Sequence, residues 1–183
     1  MGEVRIIGGQ WKRSKLPVPD APGLRPTSDR IRETLFNWLG QSLSGWRVLD
    51  AFAGSGALGF EAASRDAAQV VLIERDAKLA AGLRASVQRL KATTIQVHAA
   101  DALAWMRAAP RGGFDLILLD PPFAADLFEQ ALAAAQPLLA DGGLIYVESP
   151  HPITPPAGFT AWRQGRAGAV HYQLLRREDN PAS

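Results

Sequence analysis

From Trp46 onward short apolar runs alternate with segments of helical periodicity, and this pattern constrains the fold more than any other feature of the 183-residue chain. Strands separated by helices do not pair as hairpins. They line up in parallel, with the helices covering both faces of the sheet. The pattern predicts strands at 47–52, 70–74, 94–98, 116–119 and 143–148, with helices starting near Ala57, Asp76, Asp101 and Ala125. Leu79, Leu83, Val87 and Leu90 recur at helical spacing and are expected to pack on the sheet. Strands at 159–163 and 170–175 complete the expectation of an α/β fold with a seven-stranded, mostly parallel sheet whose final strand is antiparallel.

Ahead of that sheet, residues 1–20 read as a small β-hairpin in which Val4-Arg5-Ile6-Ile7 is followed by Gly8-Gly9 as the turn and a basic return ending at Leu16-Pro17. It is expected to be an appendage outside the core. Pro17, Pro19, Pro22 and Pro26 then make an extended connector, and Thr27-Ser28-Asp29 offers N-cap side chains for a helix ending near Leu39. Its buried stripe is expected at Ile31, Leu35, Trp38 and Leu39. The expected organisation is a hairpin extension at 1–20, one main domain at 21–178 and a tail at 179–183.

Composition narrows the chemistry. A 47% hydrophobic content suits one domain with a full core. The sequence lacks both the apolar run of about 18 residues of a membrane span and the leader of a secreted protein, so a cytoplasmic protein without membrane attachment is expected. With no cysteine, neither a thiolate metal site nor a cysteine nucleophile can form, which removes pyrimidine C5 methylation through a covalent cysteine adduct. His98, His151 and His171 show no paired metal-ligand spacing, so no metal is expected. The net charge of +2 is unevenly spread: residues 1–47 hold eight Lys/Arg against four Asp/Glu, residues 48–150 eight against twelve, and residues 151–183 four against two. The basic ends suit an anionic partner, met at the first by Arg5, Lys12, Arg13, Lys15, Arg25, Arg30 and Arg32.

Two loops carry the functional signal. Gly54-Ser55-Gly56-Ala57-Leu58-Gly59 fits G-x-G-x-x-G between a strand and a helix: the first glycine for the turn, the second for close approach of a ligand, the third for helix-on-strand packing. Glu74 closes the next strand, where a carboxylate can accept both ribose hydroxyls of an adenosine. NAD and S-adenosylmethionine share that adenosine. Asp50 favours the second, since it would repel a pyrophosphate and attract the ammonium of a methionine moiety. Asp101 can accept the adenine amino group with the Ala102 N–H facing a ring nitrogen, or serve only as an N-cap. The second loop, Asp120-Pro121-Pro122-Phe123, follows an apolar strand. Its prolines remove two N–H donors, leaving the Asp120 carboxylate and the Pro121 carbonyl to grip the N–H groups of an exocyclic amine so that its nitrogen can attack a methyl sulfonium. Phe123 would stack on the base.

On these residues the chain resembles the bacterial class I S-adenosylmethionine-dependent methyltransferases, Rossmann-like in fold, that modify guanine N2 at position 966 of 16S ribosomal RNA. The resemblance rests on Arg5-Ile6-Ile7-Gly8-Gly9, the segment from Arg25-Pro26-Thr27-Ser28-Asp29 to Leu39, the run from Leu49 to Gly59, and Asp120-Pro121-Pro122-Phe123. It implies that the Arg25 and Thr27 segment covers the cofactor, that the loop holding Asp50, Phe52, Gly54, Ser55 and Gly56 takes the methionine part, that Glu74 with Arg75 takes the ribose and Asp101 with Ala102 the adenine, and that residues 120–123 hold the target amine. Arg5, Trp11, Lys12, Arg13, Lys15 and Arg30 are then expected to meet RNA. The expected substrate is an unpaired guanine in the small ribosomal subunit, acted on by a monomer, with S-adenosylhomocysteine as by-product. One departure is Asp66, where the family pattern leads one to expect glycine. An amine methyltransferase acting on adenine N6 or a protein glutamine, a nicotinamide-dependent oxidoreductase and a non-catalytic RNA-binding module are the competing readings.

Overall fold

A computed structural model describes residues 2–20, 24, 27–122 and 127–178. The chain begins with an antiparallel ribbon of β1 (Gly2–Arg5) and β2 (Lys15–Val18). This is the expected N-terminal hairpin, but its connection is longer than the expected turn. Gly8-Gly9 is no hairpin turn but part of a loop, 6–14, whose backbone is bound to the helix that follows the glycine-rich segment. There the N–H groups of Ile7 and Gly8 donate to the Glu61 carboxylate at 2.9 and 3.0 Å, and the Gln10 N–H donates to the Ser64 carbonyl at 2.8 Å. At Gly9, with φ of 78°, a Cβ would sit 1.9 Å from the Ser64 carbonyl oxygen, so the glycine serves docking. The hairpin extension is packed onto the domain, with Leu16 of β2 and Ile6 of the loop buried in the main apolar core.

Helix α1 (Asp29–Leu39) starts where Ser28 accepts a hydrogen bond from the Ile31 N–H at 3.3 Å, and stops at Gly40 in the left-handed conformation. Ile31, Leu35 and Leu39 are buried as expected and Trp38 is half-buried; Phe36 and Arg32 are buried as well.

The main sheet follows: β3 (Arg47–Asp50), α2 (Ala57–Ser64), β4 (Gln69–Glu74), α3 (Ala77–Leu90), β5 (Ile95–Ala99), α4 (Ala102–Ala108), β6 (Phe114–Leu119), α5 (Leu127–Ala135), β7 (Leu139–Ser149), β8 (Phe159–Ala167) and β9 (Val170–Arg177). The seven strands lie in the order β5-β4-β3-β6-β7-β9-β8, and β9 alone runs opposite to the other six. One core packs α1, α2, α3 and the N-terminal loop on one face, with Phe36, Phe60 and Leu72 at its centre; the other packs α4 and α5 around Leu49, Met106 and Ile117. The chain order reverses between β3 and β6, so the carboxyl ends of these strands frame the crevice where open α/β sheets bind ligands. No helix among the described residues is long and apolar enough to cross a membrane.

Candidate active site

At the end of β3 the chain turns through Gly54 (φ 54°) and Gly56 (φ 82°) into α2. A Cβ on Gly59 would stand 2.2 Å from the Leu72 side chain of β4, so the third glycine has its expected packing role. At Gly56 the constraint is the protein itself: a Cβ would meet Leu83 at 2.7 Å and Phe60 at 2.8 Å. Two carboxylates hold the loop. Asp50 accepts from the Gly59 N–H at 3.0 Å, and Glu74 accepts from the Gly54 N–H at 3.0 Å and the Asp76 N–H at 2.8 Å. Ser55 is buried and its hydroxyl accepts from the Ala57 N–H at 3.4 Å; Phe52 is half-buried and Arg75 exposed. Asp101 is exposed and caps α4 through the Ala104 N–H at 2.9 Å, beside the buried Ala102.

Strand register gathers the reactive groups. Asp50 stands opposite Leu118, Leu118 opposite Tyr146, and Tyr146 opposite Leu174. Successive side chains alternate faces, so two residues further along Asp120, Glu148 and Tyr172 repeat the row on the same face, the one under α1. From above, Thr27, itself buried, donates its hydroxyl to Glu148 at 2.7 Å across 121 positions of sequence. Pro121 is buried and Pro122 exposed. Tyr172 stacks on Trp38 of α1 with ring centroids 5.3 Å apart, closing the row at its outer end.

Crowding these acids raises their proton affinity. Burial pushes Asp50 up to about 7, with the Glu74 and Glu148 charges adding and the Gly59 amide opposing. Asp120 is held well above the usual carboxylate range by burial and by the charges of Glu148 and Asp50, against the Thr27 hydroxyl. Burial likewise raises Glu148, and the Thr27 hydroxyl opposes it. The Tyr146 phenol, buried beside Glu148 and Asp120, is also raised and reaches no partner at hydrogen-bond geometry among the described residues. Such clustering of perturbed acids in a crevice marks a candidate functional site.

Of the expected site residues, Asp50, Gly54, Ser55, Gly56, Glu74 and Asp120 come together around the β3 and β6 ends, with Thr27 above them and Asp101 at the end of β5. Arg25 and Phe123 lie outside the described residues. Among the basic residues, Arg5, Lys12, Arg13, Lys15 and Arg30 are exposed, Lys15 within 3.4 Å of Glu3, and Trp11 is half-buried against the core. Arg32 has to be withdrawn from the anion-facing set: it is fully buried, paired with Glu61 at 3.1 Å and with Asp29. Sequence reasoning missed Glu148 and Tyr146. The signal was present, since β3, β4, β6 and β7 each run into a carboxylate, Asp50, Glu74, Asp120 and Glu148, at or next to the same edge.

The family model described as "Conserved hypothetical protein 95" matches residues 4–176. The chain is 46% identical to Ribosomal RNA small subunit methyltransferase D of Escherichia coli (strain K12), over 97% of this chain and 91% of that one. It is 42% identical to the protein of that name from Haemophilus influenzae, over 96% and 94%. The solved structure of the Escherichia coli protein yhhF superposes with a TM-score of 0.86 at 45% identity, covering 98% of this chain and 100% of that one.

Proposed function

Because the chain belongs to the ribosomal RNA small subunit methyltransferase D family, we propose that it is a methyltransferase that moves a methyl group from S-adenosylmethionine to the exocyclic N2 amine of a guanine in small-subunit ribosomal RNA. The guanine is the one at position 966 of 16S RNA. The observation that carries the reading is the row of acids at the sheet edge. Asp50, Asp120 and Glu148 face one crevice, and no salt bridge to a cation answers them among the described residues. A ligand bearing an ammonium and a sulfonium fits that charge. S-adenosylmethionine, when bound, supplies an electrophilic methyl on sulfur. Asp50 and the 54–56 loop would hold its methionine end, Thr27 and the Arg25 segment would cover it, Glu74 would accept from the ribose, and Asp101 with Ala102 would meet the adenine.

For the amine, Asp120 and the Pro121 carbonyl are the two acceptors. Gripping both N–H groups favours a pyramidal nitrogen whose lone pair is free to attack. As the methyl–sulfur bond breaks, leaving S-adenosylhomocysteine, and the N–C bond forms, the amine would shed a proton, which Asp120 in its carboxylate form would accept, burial raising its affinity for it. Phe123 would stack on the base. Arg5, Lys12, Arg13, Lys15 and Arg30, all exposed, would neutralise phosphates near it, with Trp11 beside them. A chain this small has little surface with which to pull a paired base from naked RNA, so the substrate is an unpaired guanine displayed by folded, protein-bound RNA, met by a monomer in the cytoplasm.

The test is transfer of labelled methyl to small ribosomal subunits from cells lacking the endogenous enzyme, followed by nucleoside analysis. N2-methylguanosine is expected. Label in N6-methyladenosine or in protein would move the reaction to another amine, and NADH binding without S-adenosylhomocysteine binding would overturn the methyltransferase. Equal rates on protein-free RNA and on subunits would remove the need for assembled RNA.

A further inference from the structure

The basic excess at the C-terminal end plays no part in the site described above. Residues 150–177 contain Arg163, Arg166, Arg176 and Arg177 and no Asp or Glu. Arg177 is used within the fold, where its guanidinium donates to the carbonyls of Gln136 at 2.9 Å, Leu139 at 3.3 Å and Ala140 at 3.4 Å. The other three are exposed, and none has a carboxylate partner among the described residues. Two of them share one ring: the guanidinium carbons of Arg163 and Arg176 stand 4.4 and 5.3 Å from the centroid of Trp162.

A break in strand register builds this arrangement. Ala161 pairs with Leu175 and Arg163 with Leu174, so Trp162 is the extra residue of a β-bulge. Leu174 faces the core under α1, so its partner Arg163 lies on that face, as does Arg176 two residues along; the half-buried Trp162 packs against the same core. Arg166 pairs with His171, which pairs with Ser149, the neighbour of Glu148. Arg163 of β8 and Arg176 of β9 thus lie on the face under α1, while Arg166 lies on the other face of the edge strand β8, at the end two strand spacings, about 10 Å, from Ser149.

β8 is an edge strand, and charge on an edge discourages unwanted pairing. That role requires no two cations held over one indole on the face of the sheet, and the bulge already spoils the edge for pairing. Two guanidinium groups gathered beside one ring present a local positive charge that a bound anion would neutralise. Resting on the function proposed above, we infer that Trp162, Arg163, Arg166 and Arg176 form a second contact for the RNA substrate, binding the phosphate backbone that leads away from the target guanine. The contact positions the RNA without reading its sequence.

The test compares wild type, Arg163→Gln/Arg176→Gln and Arg166→Gln, each checked for an unchanged urea midpoint. Binding is measured to small subunits lacking the methyl group and to protein-free 16S RNA, across a salt series. The double variant is expected to bind both more weakly, with a slope of log affinity against log salt smaller by about 2, roughly 1 for each arginine, and Arg166→Gln smaller by about 1. Affinity for S-adenosylhomocysteine should stay at the wild-type value, and Arg111→Gln, exposed elsewhere, should leave the slope alone. Unchanged slopes in all variants would overturn the inference and leave an edge guard. Loss on subunits with none on protein-free RNA would overturn it in favour of a ribosomal protein contact. A wild-type chain that binds RNA but transfers no methyl would sink the proposed enzyme and leave this contact standing, because the slope is read without turnover.

Discussion

Two clusters of buried charge lie on the same side of the sheet and are built on opposite plans. Around Glu61 every charge is answered. One carboxylate oxygen accepts from Ile7 N–H at 2.9 Å and Arg32 Nη1 at 3.1 Å, the other from Gly8 N–H at 3.0 Å and Arg65 Nε at 2.9 Å. Arg32 also donates to the carbonyls of Arg5 at 3.0 Å and Thr27 at 3.3 Å, and Arg65 to Gln41. At the strand ends, Asp50, Asp120 and Glu148 crowd together; the Gly59 amide donates to Asp50 and the Thr27 hydroxyl to Glu148, and no cation pairs with the three among the described residues. The first cluster spends buried charge on holding three chain segments together. The second keeps its acids short of partners, which costs stability and leaves them ready for a cation or a proton.

The sharpest way to break this contrast is Asp120→Ala. If the unanswered acids do chemistry, methyl transfer falls by about 10²–10⁴-fold while S-adenosylhomocysteine affinity and the urea midpoint barely move. A large loss of stability with matching loss of ligand binding would make Asp120 a structural residue. Glu61→Ala should do the reverse. It strands Arg32 and Arg65 and should lower unfolding free energy by about 3–5 kcal/mol in urea titration; a loss below about 1 kcal/mol would mean that apolar packing alone holds the N-terminal loop.

A smaller effect sharpens the second cluster by pH. The fold raises Asp50 from 3.8 to about 7, so its uncharged form is the favoured one. Its contribution to stability is full below the ordinary value and is lost as pH rises through about 7. Asp50→Asn should flatten that part of the stability curve of the ligand-free protein, and an unchanged curve would refute the assignment. If Asp50 faces an ammonium, ligand binding should also release a proton below about 7, readable by calorimetry in buffers of different ionisation enthalpy. The smallest effect is at the edge of the paired cluster, where Asp66 holds φ of 76°. Asp66→Gly should stabilise by about 0.5 kcal/mol, the relief of a left-handed conformation less the added freedom of the unfolded chain.

What the sequence made legible was local. Periodicity located all seven strands of the sheet, the Gly54 loop and the Asp-Pro-Pro turn announced themselves, and the glycine expected at Asp66 corresponds to a left-handed turn. Three features escaped because their causes lie far along the chain. Gly8-Gly9 reads as a tight turn until Ser64 is seen against it. Arg32 looks like a solvated helix cation until Glu61, 29 positions away, claims it. Glu148 looks like the frayed end of a strand, and only the sheet order puts it beside Asp120 and under Thr27.

The hydrogen bond from Thr27 to Glu148 also sets a timetable for synthesis. The first part of the chain to be made is not the first to settle: its loop has nothing to grip until Glu61 and Ser64 have emerged, and Thr27 waits 121 residues for its partner. At translation rates of about 5–20 residues per second, the opening segment spends several seconds tethered and undocked. The crevice is completed only once β7 and then β9 have joined the sheet. A truncated nascent chain ending before β7 would therefore carry the glycine loop and the Asp-Pro-Pro turn and still have no roof over them.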